Sequence, residues 1–367
     1  MQEERKRILN MVKEGKLSVN EALVLLDELS SPEDKSKEKE ELFGELSTSV
    51  KFEEVKKDDP FSQQKYHSTK EKIFEFVDTA IKKIKDFDLD INFGHSVDIS
   101  HIFQQSDVYL KEVDMDIANG SVKIVPWEQN DVRVECEAKV YRVETQDEAR
   151  STFLKDVTFA IEGQKLRFAT QQKWMKIQAV VYIPQAQYDS VKVRMFNGSI
   201  DSENLQVEKY NVKTANGKIN MLNLTSKYVD AETANGQIEL SNGNIEEFDA
   251  ETINGAIKVD GSFKSLELQS FNGNIVCSLT NHDCHSVEAK ATTGAIKLYI
   301  PEAAVISGEV KSNLGNINLD YSGIQVSEEK SEVIQKLLRF QPSVHSDKVT
   351  RIDADTKTGS VTLKRVK

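Results

Sequence analysis

From about residue 108 onward, apolar and polar residues alternate around a recurring glycine. Two positions after Gly120, Gly198, Gly217, Gly236, Gly255, Gly273, Gly294, Gly315 and Gly359 stand Val122, Ile200, Ile219, Ile238, Ile257, Ile275, Ile296, Ile317 and Val361. All nine are β-branched aliphatics, which chance does not produce. Four positions after the glycines come Ile124, Met221, Leu240, Val259, Cys277, Leu298, Leu319 and Leu363, with Ser202 the polar exception. This alternation predicts a strand with one buried face. Tyr210 with Val212, Val229 with Ala231, Phe248 with Ala250, and Leu266 with Leu268 repeat it before the glycines. From Gly198 the intervals are 19, 19, 19, 18, 21, 21 and 44, the last being twice 22. A fixed period of this size marks a repeat architecture.

Most of these glycines follow an asparagine: Asn119, Asn197, Asn216, Asn235, Asn254 and Asn272. Asn-Gly predicts a sharp corner, because both residues tolerate positive φ. A string of hairpins fits that signal. So does a parallel β-solenoid with one repeat per coil. Hairpins would build a sheet of more than a dozen strands with no set of helices to cover it. The expected fold is therefore mainly β: a single-chain parallel β-solenoid over 89–367 with coils of about 19–22 residues. Its asparagines should form a ladder of stacked amides.

Two stretches break the rhythm. The irregular first section, 108–190, holds strand-like runs Val132–Tyr141, Val157–Ile161, Lys165–Phe168 and Ile177–Ile183, with a helix at Thr145–Leu154. It reads as a wider part of the solenoid, before regular coils at 191–322. A helical insertion is expected at 328–341, from Val333, Ile334, Leu337, Leu338 and Phe340, and a last coil at 348–367.

Upstream the period changes to helical. Ile8, Leu9, Met11 and Val12 form one stripe, ending at Gly15. Ser18-Val19-Asn20-Glu21 is a capping box before Ala22, Leu23, Leu25, Leu26 and Leu29. A small α-helical hairpin is expected over 1–30, too small to bury much surface alone. Ile8, Leu9, Val12, Leu23 and Leu26 are its candidate partner-docking residues. Residues 31–69 carry the mixed charge of a disordered linker. Residues 70–88 read as an amphipathic helix with Ile73, Phe76, Val77, Ala80, Ile81 and Ile84 on one side and lysines around them.

Composition narrows the chemistry. The net charge of −12 over 367 residues argues against nucleic acid as a partner. Three cysteines without C-x-x-C give neither a disulfide framework nor a zinc ribbon. No secretory signal and no transmembrane span are read, so the expected location is cytoplasmic, with peripheral membrane association and the cell surface left open. His282-Asp283-Cys284-His285 is the densest group of ligand types, but it lacks partners at metal-site spacing and reads as a polar loop. No catalytic residues, metal or cofactor are expected. Trp127 and Trp174 read as packing residues.

The repeated Asn-Gly-x-Ile coils after an irregular strand section resemble the "putative adhesin" domain of unknown function shared by bacterial LiaG-like and YvlB-like proteins. Residues Glu4–Ala22 resemble the small helical module that opens YvlB-like and LiaX-like proteins of Firmicutes. The resemblance implies a link to cell-envelope stress systems that respond to antimicrobial peptides and membrane damage. The expectation is a non-enzymatic interaction or scaffold protein that binds a membrane-embedded or membrane-associated regulator, or assembles with copies of itself. Two alternatives are a membrane-surface protein acting through 70–88, and a carbohydrate-binding or carbohydrate-cleaving β-solenoid. For the latter, Lys213, Lys218, Glu232 and Glu251 are the candidates on neighbouring coils.

Overall fold

A computed structural model describes residues 94–332 and 335–366. The hairpin expected over 1–30, the linker over 31–69 and the helix over 70–88 lie outside the described residues. The elements are β1 (Ser96–Gln105), β2 (Glu112–Trp127), β3 (Val132–Tyr141), α1 (Gln146–Asp156), β4 (Thr158–Glu162), β5 (Lys165–Thr170), β6 (Met175–Pro184), β7 (Gln187–Glu203), β8 (Gln206–Asn216), β9 (Ile219–Leu222) and β10 (Thr225–Asn235). They continue as β11 (Ile238–Asn254), β12 (Ile257–Asn272), β13 (Ile275–Leu279), β14 (Ser286–Ala291), β15 (Ile296–Pro301), β16 (Ile306–Ser312), β17 (Ile317–Asp320), β18 (Ile324–Ser331), β19 (Lys336–Pro342), β20 (Thr350–Thr356) and β21 (Val361–Val366). The described chain is mainly β, as expected.

From β7 to β15 the strands pair parallel and in register. Ile200, Ile219, Ile238, Ile257, Ile275 and Ile296 stand side by side, all fully buried. Val191, Tyr210, Val229, Phe248, Leu266 and Val287 form a second inward column. Val193, Val212, Ala231, Ala250, Leu268 and Ala289 form a third, of mostly smaller side chains. Parallel pairing excludes the string of hairpins, whose neighbours would run antiparallel. Burying one isoleucine is worth about 1.5–3 kcal/mol, so the stacked columns supply the main driving force.

The first section differs from a wider coil. β2 lies beside β7 on one side, while on the other it pairs parallel with β5 and β6. Beyond these the pairing turns antiparallel: β4 on β5, β3 on β6, and β1 on β3. These strands end the stack with a change of direction. The expected helix is present as α1, with the Thr145 hydroxyl accepting from the Glu148 amide as its N-cap. Its Phe153 meets Phe103 at 5.9 Å, and Phe103 also stacks on Phe159 at 5.1 Å.

The other end departs from sequence order. β20 pairs with β14 on one side and β16 on the other, and β21 lies between β15 and β17. The last coil of the sequence is therefore inserted between the two coils before it, and the 44-residue glycine interval is lengthened by the β18–β19 segment. The helical insertion expected at 328–341 is corrected: β18 and β19 form an antiparallel hairpin, and β19 continues antiparallel onto β16. The apolar spacing at Leu337, Leu338 and Phe340 allowed a helix. The free edge of β16 offers backbone partners from Ser312 to Gly308, and this non-local pairing overrides local preference.

Candidate functional site

The Asn-Gly corners are structural. Asn197, Asn216, Asn235, Asn254 and Asn272 each donate through Nδ2 to the Oδ1 of the asparagine one coil back, starting at Asn119, every bond 2.8 Å long. The ladder ends where the Thr293 hydroxyl donates to Asn272 Oδ1 at 2.9 Å. The glycines stack in the order Gly120, Gly198, Gly217, Gly236, Gly255, Gly273, Gly294, Gly359, Gly315. Their role differs from the one expected. Only Gly120 and Gly198 have strongly positive φ. At Gly217 and Gly236 a Cβ would lie 1.9 and 1.8 Å from the carbonyl oxygen of the glycine beneath. Close approach of backbones, more than positive φ, requires glycine there.

Positive φ is found at a second corner that the glycine pattern did not reveal. Asn204, Asn223 and Asn242 have φ of 54°, 53° and 56° and bond to one another at 2.8 Å. Their 19-residue spacing was the available signal. A third column sits inside: the Thr214, Thr233 and Thr252 hydroxyls donate to the carbonyls of Gly198, Gly217 and Gly236 at 3.1 Å, and Ser270 does so to Gly255 at 2.9 Å. These buried hydroxyls satisfy carbonyls at the crowded corner.

One outward face carries charge in columns. Asp230, Asp249, Glu267, Glu288, Asp353 and Glu309 are successive neighbours on β10, β11, β12, β14, β20 and β16. The adjoining column holds Lys213, Glu232, Glu251, Gln269, Lys290, Asp355 and Lys311. Lys213 Nζ lies 2.5 Å from Glu232 and 2.9 Å from Asp230. Lys290 pairs with Glu288, and Lys311 and Arg339 pair with Glu309. Burial pushes the carboxyls of Glu232, Asp353 and Asp355 above the ordinary range, and neighbouring acids add to it. Of the four candidates for sugar chemistry, the structure brings Lys213, Glu232 and Glu251 into one column. Lys218 is elsewhere, paired with Glu239 at 2.8 Å.

A groove of about 370 Å³ crosses the stack at another corner. Its lip is a column of Gln187, Gln206, Thr225, Asn244 and Ser262. Val207, Ile245 and Phe263 back it. Lys227 pairs with Glu208 at 2.5 Å, and Lys264 with Glu246 at 3.1 Å.

The remaining sequence candidates fall into packing roles. Trp127 Nε1 donates to the Asp131 carbonyl at 2.7 Å, and its ring meets Tyr182 at 5.1 Å. In the His282–His285 loop, Asn281 donates to Asp283 at 2.9 Å while Cys284 is buried. Burial pushes the Cys136 and Cys284 thiols up to about 12, and Cys277 higher still. Among the described residues no group of three or more His, Cys, Asp or Glu is placed to hold a metal ion. None of the described helices is long and apolar enough to cross a membrane. Ile8, Leu9, Val12, Leu23 and Leu26 lie outside the described residues.

Comparison with known proteins places these features. The Toastrack DUF4097 family pattern matches residues 110–364, and a SHOCT-like domain pattern matches residues 3–34. The chain is 48% identical over 368 residues to the uncharacterized protein YvlB of Bacillus subtilis (strain 168), with 99% of each chain covered. Among solved structures, a "putative adhesin" from Parabacteroides distasonis ATCC 8503 aligns with 12% identity and a TM-score of 0.39, over 73% of this chain and 97% of that one. A "putative lipid binding protein" from the same organism aligns with 11% identity and a TM-score of 0.36, over 73% and 97%.

Proposed function

The chain belongs to the Toastrack DUF4097 family, and from that premise we propose that it is a non-enzymatic scaffold whose β-solenoid presents a docking face to a protein partner. The observation that carries this is the acid column Asp230, Asp249, Glu267, Glu288, Asp353 and Glu309. Like charges on directly adjacent strands oppose pairing by a few tenths of a kcal/mol or more each. Lys213, Lys290, Lys311 and Arg339 offset part of that cost, and what recommends the column as a docking surface is its length, six acids in register on consecutive coils. The complementary partner is a protein with an extended basic surface, since separated small ligands would not span the coils.

The partner class we favour is a membrane-associated regulator of the cell-envelope stress response. Residues 3–34, matched by the SHOCT-like pattern, serve as a second, separate docking or self-association module on this proposal. The test compares the full chain with a form lacking residues 1–34. Crosslinking in cells under envelope stress, together with light scattering of the purified proteins, should show loss of membrane-protein adducts or of self-association in the shortened form. Unchanged adducts and unchanged mass would contradict the role given to this module.

A further inference from the structure

The polar columns of this stack are of two kinds. The amides of Asn119 to Asn272 and of Asn204 to Asn242 are consumed by each other. Along the groove, by contrast, the exposed side chains of Gln187, Gln206, Thr225 and Asn244 take no hydrogen-bond partner among the described residues. They stand in register on consecutive coils. Ser262 extends the column to a fifth coil. At a strand spacing of about 4.8 Å, four steps span roughly 19 Å.

We propose that this groove binds a linear, uncharged glycan lying along the stack axis. The chemistry of the lining selects this class. Amides and a hydroxyl supply both donors and acceptors at every step, which suits a ligand bearing hydroxyl or acetamido groups at regular intervals. The rim does not select an anionic chain, because Lys227 and Lys264 are already neutralised by Glu208 and Glu246 and the further charge on the lining, Asp283, is itself an acid. Lys227 beside it holds the Glu208 carboxyl below its ordinary range. The volume falls within the range of about 300–1,000 Å³ usual for ligand sites. Asn281 closes one end: its Oδ1 accepts from the Phe263 amide at 3.1 Å and its Nδ2 donates to the Phe263 carbonyl at 2.9 Å. The groove side chains are distinct from the acid column, so this site stands or falls apart from the protein-docking proposal.

The test titrates the full chain with chitohexaose and cellohexaose by calorimetry, with polygalacturonate as the anionic comparison. At least one neutral oligosaccharide should bind, and polygalacturonate should bind more weakly. The double variant Gln206→Ala/Asn244→Ala should weaken binding tenfold or more at an unchanged unfolding midpoint. Thr225→Tyr, which blocks the channel by bulk, should abolish it. The proposal is overturned if neither neutral oligosaccharide binds, if the anionic chain binds as well, or if these variants bind like the parent protein.

Discussion

At the Asn-Gly corners one methyl group decides whether two coils can meet. Gly236→Ala places a Cβ 1.8 Å from the Gly217 carbonyl oxygen, where backbone must move. Its cost should match or exceed a core truncation such as Ile238→Ala, about 2–5 kcal/mol by denaturant unfolding. Asn235→Ala removes one donated and one accepted amide bond, for about 1–3 kcal/mol in total. At the opposite corner the backbone term separates from the ladder term. Asn223→Ala loses both the amide and an easily left-handed residue, whereas Asn223→Gly loses only the amide. Glycine should therefore be the milder change by about 1–2 kcal/mol. The Ile columns were legible because a side chain two residues from glycine keeps its phase through every coil. The Asn204, Asn223 and Asn242 ladder is less legible because none of its members precedes a glycine except Asn242.

The acid column makes its own residue-scale prediction. Burial raises the Asp353 carboxyl, with Glu288 and Glu309 adding and Lys311 opposing. A raised acid holds its proton more tightly in the folded chain than in the unfolded one. Its favourable contribution is complete below the unfolded pKa and is lost as pH rises through the folded pKa. Asp353→Asn should thus raise the thermal midpoint at neutral pH. The gain should shrink as the pH falls through the raised folded pKa, where the parent carboxyl itself takes up a proton. Melting curves across that range check the sign.

Among the elements, the inserted coil was the hardest to foresee. Ile317 with Leu319, and Val361 with Leu363, carry the same stacking signal, and Gly294 can in principle receive either coil next. Sequence spacing even favours the direct order, since Gly315 follows Gly294 by the usual 21 residues. The structure instead places β20 and β21 in the gap and lets β16 take the β18–β19 hairpin on its far side. Adjacent strands about 4.8 Å apart fall within disulfide range, and strands two steps apart do not. Glu288→Cys with Asp353→Cys should therefore crosslink under mild oxidation, and Glu288→Cys with Glu309→Cys should not. The reverse result would mean that the coils stack in sequence order. The native thiols should stay silent, being buried with raised pKa values. The hairpin reads locally as a helix for a related reason: what makes Lys336–Pro342 a strand is a partner edge far away in sequence.

For the whole molecule, the net charge of −12 is unevenly distributed. One column of six carboxylates is held in register by six strands, and it is this arrangement, more than the total, that suits an extended basic partner. The β fold was readable from periodicity alone. The acid face was available there too, since each of its six carboxylates stands six residues before a repeat glycine and keeps that phase whichever order the last two coils take. The most direct measurement compares partner capture by the full chain with that by an Asp249→Lys/Glu267→Lys/Glu288→Lys variant, crosslinked in stressed cells and identified by mass spectrometry. The account predicts that the variant keeps its unfolding transition and loses the protein adducts seen with the parent. Capture of the same adducts at the same yield would contradict it.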